Sequence, residues 1–158
     1  MITLPPLVAV ALIKLLGVVV GLVVPYVDAA AYALFLYPQS IEGAAFREAL
    51  KLRKPGLVVR EVLQLLQQPL RFIHRGILFF ATYAAMSVFV ITSTNAALGK
   101  GVVAGIGIYM LMGMLAYRTN IIELRKRYFW GLAGSASNAA YMGLIVTLVV
   151  LTVFALII

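Results

Sequence analysis

The sequence predicts an all-α, polytopic integral membrane protein, with four transmembrane helices and amphipathic interfacial helices on the cytoplasmic side. Three observations carry this. Hydrophobic residues fill 64% of the 158 positions, against about 45–50% apolar content in ordinary soluble domains. A soluble domain of this size buries only about 68–70% of the surface its unfolded chain exposes, so the excess must face lipid. The apolar residues also come in long runs, and crossing ~30 Å of hydrocarbon takes about 20 such residues at 1.5 Å each. Finally, the cations, 13 Lys and Arg against five Asp and Glu, gather in alternate intervals between those runs.

The chain reads as a single membrane domain over 1–158, with spans at about 4–24, 76–98, 102–117 and 134–158 and a cytoplasmic amphipathic segment at about 38–75. In the first span, Pro5 and Pro6 suit the opening turn, where a missing N–H is harmless, and Pro25 marks an end or a kink. The run does not read as a cleaved signal peptide, because no basic region precedes it and no small-residue cleavage pattern follows. Tyr26–Tyr37 is apolar except for Asp28 and too short to cross, so it reads as an interfacial or re-entrant helix closed by Pro38. Ser40 caps a helix over Ile41–Lys54, which Pro55-Gly56 stops. Leu57–Gln68 sets Arg60, Glu61, Gln64, Gln67 and Gln68 on one stripe, which Arg71 and Arg75 continue past Pro69. This describes a surface helix that bends at Pro69 and turns inward.

The second span, Gly76–Leu98, leaves through the polar run Thr92-Ser93-Thr94-Asn95. Gly99-Lys100-Gly101 follows as a tight turn. The third span, Val102–Tyr117, is short unless Gly99–Gly101 or Arg118–Asn120 lies within the bilayer. Asn120–Arg127 is a basic loop, and Tyr128, Phe129 and Trp130 form an aromatic belt before the last span.

Orientation follows from the cations. Residues 26–75 hold seven, the turn after the second span holds Lys100 alone, and the loop after the third holds Arg118, Arg125, Lys126 and Arg127. With four spans, eleven of these twelve fall on one side, which the positive-inside rule makes cytoplasmic. The expected location is a cell membrane, plasma or inner, with both termini outside. Arg47, Lys51, Arg53, Lys54, Arg71, Arg75, Arg125, Lys126 and Arg127 are then expected to meet anionic lipid head groups. Nucleic acid is not an expected partner, because no basic run is interleaved with aromatics on a soluble surface.

Few residues can carry chemistry. Lys14 lies near the middle of the first span, and an intramembrane charge calls for a named partner. The other spans hold no Asp or Glu, and Asp28 is ~21 Å farther along a helix. Three readings stay open: snorkelling or carbonyl contact, a carboxylate from another subunit, and a substrate or anion site. His74, the sole histidine, is expected at a head-group boundary and is a weak candidate for an axial macrocycle ligand, since one histidine cannot make a zinc site alone. Ser87, Thr92, Thr94 and Asn95 are the candidate polar path, with helix-to-helix hydrogen bonding as the plainer account.

Small residues point to close helix packing: Gly17 and Gly21, Gly101 and Gly105 with Gly113 beyond, and Ala139 with Gly143. Cysteine is absent, which excludes disulfides, thiolate sites and cysteine nucleophiles. No metalloprotease, nucleophile-elbow or phosphate-loop motif occurs. All five acids fall outside the assigned spans, leaving little for acid–base chemistry within the membrane. The expectation is therefore a protein that is not an enzyme and takes no cofactor. It acts as a structural or assembly subunit, packing its transmembrane helices against other membrane subunits or itself. The alternative is a small channel or transporter formed by self-association.

Overall fold

The first helix does not stop at Pro25. In the computed structural model, which describes residues 5–68, 72–117, 122, 124, 127–128 and 137–158, α1 runs unbroken over Pro6–Ala31. A π-helical turn, Tyr32–Leu36, continues it. Pro25 cannot donate to the carbonyl of Gly21, but helices in apolar surroundings tolerate such a loss. Tyr26–Tyr37 is therefore the end of the first helix, and neither a separate interfacial piece nor a re-entrant one. As a consequence, Asp28 lies inside an apolar helix.

Five further α-helices are present among the described residues: α2 (Ile41–Lys51), α3 (Pro55–Gln67), α4 (Ile77–Thr92), α5 (Ala97–Ala116) and α6 (Asn138–Ile157). Three segments are long and apolar enough to cross a bilayer: Pro6–Leu36, Ala97–Ala116 and Asn138–Ile157. This is an all-α chain consistent with a multi-pass membrane protein. The expected second span is shorter than predicted. Its helix has 16 residues and rises about 24 Å, because the chain turns at Ser93–Ala96. The third begins earlier than expected, and Gly99-Lys100-Gly101 belongs to the first turns of α5 instead of forming a turn. Of the last span, residues 134–136 lie outside the described residues, and α6 starts from a Ser137 cap whose hydroxyl accepts from the Ala140 N–H at 3.3 Å.

One seam organises the bundle. In α1 the buried residues are Gly17, Gly21, Pro25 and Ala29, and Ala33 in the π turn follows them. They recur every four residues, so all face one way, while Val19, Val20, Val23 and Val27 between them stay exposed. The α5 helix answers with Gly101 and Gly105. A Cβ built on Gly17 would lie 2.9 Å from the Gly101 Cα, and one on Gly21 would lie 3.0 Å from the Gly105 Cα. Backbones approach this closely only where side chains are missing. The pairing also makes α1 and α5 parallel.

The α4 and α6 helices run antiparallel to α5. Tyr83 Oη donates to the Val103 carbonyl at 3.1 Å, and Gly107 leaves room for the Thr152 hydroxyl. Around this contact a core forms from Phe80, Tyr83, Val103, Ala104, Met110, Met114, Leu124, Tyr128, Tyr141, Leu148 and Ala155.

A second core joins the α2–α3 hairpin to the end of α1. Ser40 caps α2 as expected, accepting from the Gly43 N–H at 3.0 Å. The hairpin turns at Arg53, whose φ of 52° is left-handed. Pro55 opens α3 at its first turn instead of only ending α2. Phe46 from α2 and Val62, Leu65 and Leu66 from α3 close over Ala29, Tyr32, Ala33 and Phe72. The hairpin is thus an arm packed on α1, with Lys51, Arg53 and Lys54 exposed and Arg47 half-buried on its outside.

Candidate functional site

Where the arm meets the bundle, the chain buries a knot of polar side chains. The short 3-10 turn Ile73–Arg75 carries His74 and Arg75 inward just before α4, and both are almost wholly buried, at 1% and 4% exposure. Neither is the head-group contact their boundary position suggests. His74 finds its partner 46 residues away, and Arg75 finds its partners at the end of α3.

His74 pairs with Asp28. The Asp28 Oδ2 oxygen accepts from the His74 backbone N–H at 3.0 Å and stands 2.6 Å from the imidazole Nδ1. A carboxylate there holds the ring proton on Nδ1, so Nε2 carries the lone pair. Burial lowers the proton affinity of His74 below its ordinary value, and the nearby Arg75 charge adds to this, while the bond to Asp28 opposes it. The imidazole is neutral as a result. Phe72 stacks on it with centroids 5.6 Å apart, and Tyr109 meets it edge-on at 5.6 Å. Phe72 covers one face of the ring, and Nε2 is buried with no hydrogen-bond partner among the described residues.

Arg75 caps a helix end. The last carbonyls of any α-helix lack donors and carry the negative end of its dipole. The guanidinium donates to the Leu66 carbonyl at 2.5 Å and to the Gln68 carbonyl at 3.3 Å, both at the end of α3. It also lies 4.9 Å from the Phe72 ring centroid and 5.3 Å from that of Tyr128. Arg127 adds a third cap, donating to the Gln67 carbonyl at 2.5 Å while stacking over Tyr117. Of the expected lipid contacts, Arg75 is thus an internal fastening of α3, and the half-exposed Arg127 bonds the same helix end. Tyr128, expected in an interfacial belt, is 2% exposed and fills the space that Gly113 leaves beside α5. Burial raises the proton affinity of its phenol, against the pull of Arg75.

At the opposite end, Lys14 donates to the Leu156 carbonyl at 2.7 Å. Of the readings left open, the structure has the carbonyl contact. The α1 helix extends past its partners, so Lys14 is level with the last turn of α6 and the first turn of α5. Lys100, expected in an exposed turn, is 7% exposed.

The candidate polar path is not assembled within one chain. Ser87 is buried and donates to the Tyr83 carbonyl at 2.6 Å, whereas Thr92 is exposed and returns its hydroxyl to the Val88 carbonyl at 2.9 Å. Thr94 and Asn95 stand exposed in the turn beyond. Of the packing residues, Gly17, Gly21, Gly101 and Gly105 meet in one seam. Gly113 admits a tyrosine and no helix, and Gly143 has nothing within 4 Å of a built Cβ. Arg71, Arg125, Lys126, Phe129 and Trp130 lie outside the described residues.

Asp28, Tyr109 and the capping role of Arg75 are what sequence reasoning missed. The available signal was Asp28 itself, the one acid in the first 41 residues, since a lone acid in an apolar helix calls for a partner. Placing a break at Pro25 hid it. Among the described residues, no three His, Asp or Glu groups converge to hold a metal ion. Comparison with protein-family models, curated proteins and solved structures finds no match for this chain.

Proposed function

We propose that the chain is a packing subunit of a membrane assembly, built with other subunits or with copies of itself, and that it works through helix contacts instead of catalysis. One observation carries this. The α1–α5 seam begins at Lys14, and Pro6–Ile13 continues beyond it for eight residues, about 12 Å. Leu7, Val8, Val10, Leu12 and Ile13 on this overhang are all exposed. The α5 and α6 helices, at 20 residues each, already match ~30 Å of hydrocarbon. An apolar stub that outruns its own bundle is best covered by another helix. The empty Ala139 and Gly143 surface of α6 supports the same reading.

In this proposal α4 is the fourth, short crossing. The arm and Ile122, Leu124, Arg127 and Tyr128 sit together at one end of the bundle, with Lys100 at the other, which suits a cytoplasmic arm and outside termini. Labelling intact cells should reach a cysteine at Asn95 and not one at Lys54.

The assembly is tested on the purified protein in mild detergent. It should travel as a particle of fixed stoichiometry, and a single cysteine at Leu12 should cross-link across that particle. Leu12→Arg should disperse the particle while leaving each chain folded. A uniform monomer whose Leu12 cysteine never cross-links overturns the proposal, and ion flux in liposomes from a self-associated form that Leu12→Arg does not disperse would put the channel reading in its place.

A further inference from the structure

We infer that Asp28 and His74 form a reversible proton-binding site whose loading unseats the α2–α3 arm from the bundle. This holds whatever the chain assembles with, since every group involved belongs to one chain.

The Asp28 Oδ2 oxygen takes both the backbone N–H and the Nδ1 side of His74. One position then remains for another proton, the Nε2 lone pair, which is buried and has no hydrogen-bond partner among the described residues. The groups around the ring come from every neighbouring element. The α1 helix supplies Asp28, the one acid against the ring among the described residues, while Tyr26 and Tyr32 stand one contact farther out, against Tyr109 and Phe72. The 3-10 turn supplies Arg75, α5 supplies Tyr109, and Tyr128 stands on the far side of Arg75. With a neutral imidazole, the carboxylate and the guanidinium balance. A proton from water adds an N–H bond at Nε2 and leaves one uncompensated positive charge next to Arg75. Buried unpaired charge is strongly unfavourable.

Release relieves it. With the arm lifted away, the imidazole meets water and titrates near its ordinary value of about 6.5. The seated state holds its proton less readily. Between those two values the released form binds more protons, so falling pH favours release, and above about 6.5 seating is undiminished. The mechanical link is short. His74 is the residue before Arg75, and Arg75 holds the end carbonyls of α3. A shift of the turn that opens Nε2 to water loosens that cap as well.

The composition favours the experiment, because the chain has one histidine and no cysteine. Spin labels at Lys51→Cys on α2 and Leu115→Cys on α5, in nanodiscs, report the arm's distance from the bundle. The His74 Cε1–H resonance reports its protonation. At pH 8 one narrow distance is expected. As pH falls to 5 a longer, broader population should grow with a midpoint below 6.5, by up to about tenfold per pH unit for a single proton. His74→Gln keeps an N–H for Asp28 but cannot load a proton, so it should hold the narrow distance throughout. Should that variant be loose at every pH, the parent decides: its label distance must move with the histidine resonance. A narrow distance retained to pH 5, movement without titration of His74, or His74→Gln loosening in step with the parent would each overturn the inference.

Discussion

Gly101→Leu should separate α1 from α5 and destabilise the fold by about 3 kcal/mol, the upper end of what overpacking costs. A Cβ at this position meets the Lys14 carbonyl and stands 2.9 Å from the Gly17 Cα. Both obstacles are backbone. A flexible side chain can swing aside, but here one whole helix must move. Since α1 buries only its small-residue stripe, a shift of one helix diameter empties every contact along the seam. Unfolding in mixed detergent micelles measures the loss, and cysteine cross-links between Val18 and Val102 report the separation. Gly143→Leu is the matched control. Nothing stands within 4 Å of it, so chain stability should change by less than about 0.5 kcal/mol. A Gly101→Leu variant that melts like the parent would mean the seam is not what holds α1.

Asp28→Leu carries the second large effect, about 3 kcal/mol, because two buried donors are left without an acceptor at about 1–3 kcal/mol each. The leucine fits an apolar helix better than the aspartate does, so hydropathy alone forecasts a gain. The structure forecasts the reverse. Two donors of His74 lose their shared acceptor. The damage should be local. Protease should cut within residues 41–67 of the variant while the α1–α5 seam stays protected, because regions open in units according to their own stability. Equal susceptibility of parent and variant would show that the knot does not seat the arm.

The site was only partly legible before the fold was known, and Pro25 explains most of the gap. Proline breaks helices in water by removing a donor and clashing with the preceding turn. Read by that rule, α1 ends early, Asp28 drifts to an interface, and no carboxylate remains for the buried histidine. Lys100 misled in a similar way. A lysine between two glycines reads as a turn, yet Gly101 lets α5 lie against α1 and Gly99 faces Val90 of α4, and the lysine goes with the helix. Arg75 and Arg127 read as lipid anchors because they are basic and sit at boundaries. Which carbonyls lack donors cannot be seen without knowing that α3 ends beside them.

Hydropathy, run length and charge are properties of neighbouring residues. They are enough to establish an all-α chain, to place four expected spans of which three prove long and apolar enough to cross a bilayer, and to mark the glycines Gly17, Gly21, Gly101 and Gly105 as contact points. The union of Asp28 with His74, 46 residues apart, is of another kind. So are the capping of α3 by two arginines and the bond from Lys14 to the end of α6. Each depends on which helix faces meet and at what level. The α1–α5 seam sets that level, and a linear pattern does not encode it.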